Sequence, residues 1–367
     1  MKVALVCDWL TEIGGAEKVL LNLHQIYPRA PIYTSQYDPK KIDWFKDADV
    51  RTTWLSKLPK SLKKFLPVLR AWSFSRLDLS EYDLVISSSG AEAKAVKTGS
   101  NTIHICYLHS PTQYYWTRQD EYLKTPGFPK GFNWIAKISL KILDKPLKAW
   151  DKLAAKKPDY IITNSEYTKS MIKKFYNREA TVIHPPVEIN KFKPKDFANL
   201  RHGLVIAGRQ TPYKRFDLAI KACNRLKIPL IVIGNGPEHK KLLKIAKKSI
   251  TFLTSVNDLT LVEQFQSALG FIFPGKDDFG IVAVEALAAG TPVIAYKQGG
   301  ALDYLKNKKN GIFFNRQTTE NLTKAIEELT TRKFNYQKVY ESSLAFSEEV
   351  FNQKIRTFIK DVLNKSK

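Results

Sequence analysis

The sequence predicts an α/β protein built from two doubly wound parallel sheets, and three observations carry that prediction. Short, almost wholly apolar runs such as Val3–Cys7 and Leu204–Ala207 recur along the chain, too apolar for strands with one wet face. Glycine-bearing loops follow them, and then stretches with apolar residues at helical spacing. Pro185–Pro186 and the polar stretch 191–199 separate two copies of that pattern. Strand and helix alternating twice over is the sequence form of two open parallel sheets with helices on both faces.

Composition sets the limits. The chain has 367 residues, 44% hydrophobic and 26% charged, which suits a soluble protein of two domains. No apolar run reaches the ~18–20 residues of a membrane span, and Met1–Leu5 leads directly into a strand, so neither a span nor a leader is expected. Cys7, Cys106 and Cys223 lie far apart inside apolar patterns, as reduced core thiols of a cytoplasmic protein do. The net charge of +24 fits nucleic acid, anionic lipid or phosphorylated small molecules. No motif supports nucleic acid.

In the first half, Gly14–Gly15 follow the opening strand and precede apolar Val19, Leu20 and Leu23. The two glycines either approach a phosphate or make a tight turn; they do not form the GxGxxG dinucleotide fingerprint. Further strands are expected at about 32–36, 50–54, 83–88 and 102–108. The last delivers His109 at its carboxyl end, where open α/β sheets bind ligands. His24, His104, His184, His202 and His239 are read as structural.

Two segments are basic and amphipathic. Lys57–Trp72 carries Leu58, Leu62, Phe65, Leu69 and Trp72 at helical spacing among Lys57, Lys60, Lys63, Lys64 and Arg70. Trp134–Lys157 repeats the theme with Lys137, Lys141, Lys145 and Lys148 beside Trp134, Ile138, Ile142 and Trp150. Pro67 and Pro146 are expected to kink both. Such segments either lie on an anionic membrane or turn their apolar stripes to the protein's own core. Between them, Tyr107–Trp116 with Tyr122 and Phe128 forms an aromatic loop, a candidate acceptor surface. Asp159–Ser165 and Thr181–His184 complete the half as strands.

The second half begins with the strand 203–207, then Gly208, Arg209 and Lys214 before a helix from about Phe216. Arginine's planar fork and lysine's point charge at a strand's carboxyl end suit a diphosphate. The turns Gly234–Pro237 and Gln298–Ala301 fall near the same mouth. Strands and helices alternate from Pro229 to Phe314, and a helical stretch from about Gln337 to Leu363 is expected to pack partly on the first domain.

Lys276–Ala295 reads as a turn, a helix of small residues and a Gly-Thr-Pro turn into a buried strand. A helix N-terminus presents unpaired N–H groups, so an anion fits at Phe279–Gly280–Ile281. Asp277 and Glu285 repel phosphate and instead accept hydrogen bonds from neutral hydroxyls, as on a ribose or hexose. Together these describe a nucleotide sugar; the alternative is an ordinary βαβ unit with surface acids.

Taken together, the Gly14–Gly15 loop, His109, Arg209-x4-Lys214 and the Asp277-x7-Glu285 block before Gly290–Val293 resemble the retaining glycosyltransferases of family 4, over essentially the full length. Gly14–Glu17, Asp278–Val282 and Gly299–Leu302 resemble bacterial mannosyltransferases of polysaccharide and glycolipid assembly. The resemblance implies the GT-B fold: two Rossmann-like domains facing across a cleft, an acceptor domain 1–188 with a C-terminal helix at about 346–367, and a donor domain 200–345. It implies a hexosyltransferase, mannose from GDP-mannose being favoured, acting on a lipid-linked or polysaccharide acceptor at the cytoplasmic membrane face. A nucleotide-sugar epimerase or hydrolase of the same fold is the alternative.

The implied roles are specific. Arg209 and Lys214 hold the diphosphate, Glu285 the ribose and Asp277 the sugar hydroxyls. Phe279, Gly280 and Ile281 give backbone contacts, His109 meets the donor sugar, and Gly14, Gly15, Gly208 and Gly234 line the donor. No metal or cofactor is implied, since cations and helix termini neutralise the leaving group. The family usually has Glu-Gly where this chain has Asp277–Asp278, a side chain one methylene shorter.

Overall fold

The computed structural model describes residues 1–58, 66–119, 133–197 and 200–365, and the chain divides into two compact units. One comprises Met1–Pro185 with Asn352–Lys367, the other Pro186–Phe351. The division falls at Pro185–Pro186, not at 188 and 200.

The first unit holds a seven-stranded sheet of β1 (Val3–Cys7), β2 (Ile32–Thr34), β3 (Val50–Thr52), β4 (Leu84–Ser89), β5 (Ile103–Leu108), β6 (Tyr160–Thr163) and β7 (Thr181–Val182). Every described pair is parallel, in the order β3-β2-β1-β4-β5-β6-β7. Leu5 pairs with Ile32 on one side and Ile86 on the other. Its helices are α1 (Gly15–Ile26), α2 (Leu66–Arg76), α3 (Gln113–Trp116), α4 (Asn133–Ala154) and α5 (Glu166–Tyr176).

The second unit has six parallel strands, β8 (Leu204–Ala207), β9 (Leu230–Ile233), β10 (Ile250–Leu253), β11 (Gly270–Phe273), β12 (Val293–Tyr296) and β13 (Gly311–Phe314). They are ordered β10-β9-β8-β11-β12-β13. Helices α6 (Ile189–Phe192), α7 (Phe216–Leu226), α8 (His239–Ile245), α9 (Asp258–Ser267), α10 (Ile281–Ala288), α11 (Ala301–Tyr304), α12 (Thr319–Thr331) and α13 (Tyr336–Glu341) surround them. Successive strand residues face opposite sides. Leu204 and Ile206 join the core under α7 and α12, while Val205 and Ala207 join the core that contains α10. Apolar all round apart from Glu285, α10 is buried for that reason.

Both sheets reverse their winding direction once, between β1 and β4 and between β8 and β11. Loops leaving the two central strands there diverge to opposite sides and open a crevice at the carboxyl ends. That is the feature that positions the site.

Four expectations change. The stretch 57–72 is not one helix: Trp54–Lys57 is a 3-10 turn, and α2 runs from Leu66. Pro67 is the second residue of α2, where a missing N–H costs nothing, and only Pro146 lies inside a helix. Residues 59–65 and 120–132, with Lys60, Lys63, Lys64, Tyr122 and Phe128, and the side chains of Trp134, Lys137 and Lys141, fall outside the description. In the stretch 191–199, expected to be a linker, Phe192 is buried in the second unit's core.

The C-terminal stretch is also broken, into α13, a turn Leu344–Phe346 and α14 (Glu348–Lys365). Ser342 and Ser343 hydroxyls donate back to the Val339 and Tyr340 carbonyls, each at 2.6 Å, while Ser347 Oγ accepts the Val350 N–H at 3.3 Å. From Asn352 the chain belongs to the first unit, where Phe358 meets Tyr160 edge-on at 6.2 Å.

Candidate functional site

In the second unit the reversal point gathers the predicted donor residues from two loops. After β8, Gly208 has φ +135°, and a side chain there would lie 3.6 Å from Lys214 Nζ. After β11, a Cβ on Gly275 would lie 2.9 Å from Lys214 Cα, so the loops touch through backbone. The result is a contact 63 residues apart in sequence: Lys214 Nζ donates to Asp277 Oδ2 at 2.9 Å. Asp277 is buried, and its other oxygen, Oδ1, is buried without a hydrogen-bond partner among the described residues. An orphaned acceptor of this kind costs ~1–3 kcal/mol unless something donates to it. Arg209, the first residue past Gly208, is exposed on the same loop.

Gly280 is the N-cap of α10 at φ +92°, with no side chain to cap the first turn. A Cβ there would fall 2.4 Å from Phe273 Cζ and 3.1 Å from the Tyr304 hydroxyl, which is itself buried and without a hydrogen-bond partner among the described residues. Only glycine fits, and the N–H groups of Ile281 and the residues after it are uncapped by any side chain. Phe279 turns its ring into the core, 5.3 Å from Tyr304 and 5.8 Å from Phe346, so its backbone alone is available to a ligand. Glu285 is buried within α10, two turns or less from Gly280. Behind them the Gly299–Gly300 turn packs on the loop, Gly300 N donating to Asp277 O at 3.0 Å. Gly234, expected against the donor, sits one layer back: a side chain there would lie 2.4 Å from Gly208 O.

In the first unit the loop after β1 begins with Asp8, which the sequence reading passed over. Its Oδ1 accepts from Ala93 N at 2.7 Å and Ser89 Oγ at 3.2 Å, and its Oδ2 from Gly90 N at 2.7 Å and Ala91 N at 3.1 Å. Four donors saturate the carboxylate, so Asp8 clasps the loop after β4 and is spent as a base. Gly14 and Gly15 open α1, but Glu17 shares that helix end: its Oε2 lies 2.9 Å from the position of a Cβ on Gly14. Burial, with the charges of Asp8 and Glu12, pushes Glu17 up to about 7.

His109 directly follows β5, as predicted. Its Nε2 is 2.8 Å from Ser88 Oγ, its N–H donates to Ser89 O at 2.9 Å, and Asn164 Nδ2 donates to its carbonyl at 2.8 Å. Burial pulls the ring down to about 4, so His109 is neutral at physiological pH and acts as a hydrogen-bonding group rather than a cation.

Three basic residues are held by carboxylates. Arg70, counted among the surface cations, is buried with Nε 2.8 Å from Glu92 Oε2 and its guanidinium 4.5 Å above the Trp9 ring. Lys148 is held by Asp144 at 2.9 Å and by Gln119 Oε1 at 2.9 Å. Lys94, absent from the sequence reading, is wholly buried against Asp151 at 2.7 Å. Trp150 packs on the core, its Nε1 3.3 Å from Ser75 Oγ.

Both halves of the chain resemble known glycosyltransferases. Residues 13–191 match the family model described as Glycosyltransferase Family 4, and residues 189–344 the one described as Glycosyl transferases group 1. The two models together span most of the chain, and each describes glycosyltransferases. A D-inositol 3-phosphate glycosyltransferase of Mycobacteroides abscessus is 30% identical over 200 residues, 48% of this chain and 45% of that protein. The chain therefore spans about half the length of the curated relatives it matches. Among solved structures, Anabaena HepE in complex with UDP superposes with a TM-score of 0.70 at 18% identity, covering 98% of this chain and 100% of that one. Sucrose-phosphate synthase of Thermosynechococcus elongatus gives 0.71 at 15% identity, covering all of both chains. These likenesses establish the GT-B fold of the chain.

Proposed function

We propose that the protein transfers a hexose from a nucleotide sugar to a lipid-linked or polysaccharide acceptor. The observation that carries this reading is the buried, unpartnered Asp277 Oδ1 beside Lys214, where the second sheet reverses. A sugar hydroxyl satisfies that oxygen, and a diphosphate draws Lys214 and Arg209. The uncapped end of α10 at Gly280 and Ile281 adds N–H donors, and Glu285 takes the ribose.

On this reading Arg209, Lys214 and the helix end stabilise the charge that grows on the departing diphosphate, with no metal or further cofactor. Neutral His109 exchanges a hydrogen bond with the donor sugar. Retention at the anomeric carbon proceeds on one face, the leaving diphosphate taking the acceptor hydroxyl's proton. GDP-mannose is the favoured donor, because Gly14–Glu17, Asp278–Val282 and Gly299–Leu302 resemble mannosyltransferases of polysaccharide assembly.

The enzyme acts peripherally on the inner face of the cell membrane. Trp54 and Trp72 support this: they are 43% and 49% exposed, meet edge-to-face at 5.8 Å, and Arg76 lies 4.5 Å over Trp72. Aromatic rings beside cations suit an anionic lipid interface. Among the described residues no helix is long and apolar enough to cross a membrane.

Calorimetry against nucleoside diphosphates and their hexose conjugates, in chelator, tests the reading. Binding of GDP and GDP-mannose without divalent ions is expected; affinity for none of the panel overturns it. Preference for another base keeps the transferase and replaces the donor. Free or epimerised sugar formed without acceptor replaces transfer by hydrolysis or epimerisation.

A further inference from the structure

The segment after His109 is bolted to the body of the first unit through a buried carboxylate. Asp151, near the end of α4, is wholly buried and accepts hydrogen bonds on both oxygens. Oδ1 takes Lys94 Nζ at 2.7 Å and Thr112 Oγ1 at 2.8 Å. Oδ2 takes Trp116 Nε1 at 2.7 Å and Tyr176 OH at 2.6 Å. The ring closes on itself: Thr112 N donates to Tyr176 OH at 3.0 Å, and Lys94 Nζ to Thr112 Oγ1 at 3.0 Å and to the Ala91 carbonyl. Four parts of the chain meet there: the loop after β4, the segment after β5, α4 and α5.

We propose that Asp151 is a positioning residue, which holds Thr112–Trp116 in one conformation beside His109 so that the segment presents a fixed surface to the acceptor. Its acceptor-facing role rests on the transferase reading; the clamp itself does not.

Three arguments support it. A buried ion pair is a poor source of stability, because desolvation of two charges offsets their attraction, so its retention calls for another reason. Four donors converging on one group require an acceptor-only side chain, which Asp is and Asn is not. The held segment leaves the strand end where the first sheet's ligands are expected, and Gln113, Tyr114 and Trp116 stay half-exposed on it. Tyr114 is tied separately, its hydroxyl donating to the buried Glu92.

The test uses the full chain with Asp151→Asn, and the pair Lys94→Met with Asp151→Leu. The pair removes both charges, and so keeps the fold should the single variant fail, but still deprives Thr112 and Trp116 of their acceptor. Amide hydrogen exchange is expected to quicken about tenfold or more in peptides covering 110–118, with peptides covering β1, β4 and α10 unchanged. Binding of GDP and UDP should match wild type, while consumption of whichever nucleotide sugar the wild type uses falls in maximal rate at unchanged donor KM. Quickened exchange throughout the first unit, or none at 110–118 in either variant, overturns the proposal. A wild type that binds no nucleotide overturns the transferase reading and leaves the exchange result to decide the clamp.

Discussion

Lys214 and Asp277 stand 2.9 Å apart, joining the loop after β8 to the loop after β11, with one oxygen of the carboxylate bonded and the other buried and unmet. A pair that joins the two loops and still leaves an acceptor orphaned is poised for a ligand bearing both an anion and a hydroxyl.

Removing the cation tests this directly. Lys214→Ala is expected to lower turnover at saturating donor by ~10²–10³, the usual effect of losing one preorganised charge-stabilising contact. It also leaves Asp277 without its partner, which costs about 1–3 kcal/mol of stability. Steady-state rates and thermal unfolding, measured together, separate the two effects; near-wild-type turnover removes Lys214 from the diphosphate.

Glu17 sets a charge against the Gly14–Gly15 loop. Its carboxyl titrates at about 7, raised first by burial, so it is mostly neutral below that pH and anionic above it. A raised carboxyl contributes stability that is present below its unfolded value and is lost as pH rises through about 7. Glu17→Gln should therefore stabilise the protein at pH 8 and make little difference at pH 5. If Gly15 lies against phosphate, the same change tightens nucleotide binding at pH 8 by a few-fold, as ~0.3–1 kcal/mol at a helix end implies. Urea titrations and calorimetry at the two pH values check both.

The histidines act in the opposite direction. Burial holds His104 at about 3 and His109 at about 4, both below the ordinary imidazole value. Groups depressed in this way favour the fold above about 6.5, and that contribution is lost as pH falls through 6.5 toward 4. His109→Gln should flatten the fall in stability between pH 6.5 and 4.5 in denaturant titrations. An unaltered slope would mean the ring is not desolvated.

Gly280→Ala is expected to cost more than the ~1–2 kcal/mol of a left-handed backbone alone, because the new methyl meets Phe273 at 2.4 Å. Loss of nucleotide affinity beyond that destabilisation places the α10 terminus at the ligand. Retained affinity with lowered Tm removes it.

Replacing Trp54 and Trp72 together by Ala should weaken sedimentation with vesicles containing anionic lipid while nucleotide binding is kept. Both rings are half-exposed, so stability should stay within about 0.5 kcal/mol. Equal sedimentation of variant and wild type retires the membrane surface.

The sheets were legible in the sequence because the central strands are buried on both faces, so runs such as Val3–Cys7 and Val293–Tyr296 carry no polar interruption. Lys214, Asp277 and Gly280 were legible for a related reason: strand ends mark the crevice, and a glycine at a helix start needs a cause. What periodicity could not convey was the fate of single charges. Arg70 reads as a solvated cation and Lys94 carries no signal at all, since only tertiary structure brings Glu92 and Asp151 to them. Asp8 had a signal that was passed over, an acid directly after a buried strand. The broken helix at Ser342–Ser347 was hidden because hydroxyls that bond back to the chain leave the apolar spacing intact.

The chain passes from one unit to the other twice, at Pro185–Pro186 and again after Phe351. Pro186–Phe351 is thus a single uninterrupted piece with its own core and the Lys214–Asp277 pair, suited to excision and separate study. The first unit has no such freedom: it is finished only when Asn352–Lys367 return to it, so its assembly waits on synthesis of the whole second unit.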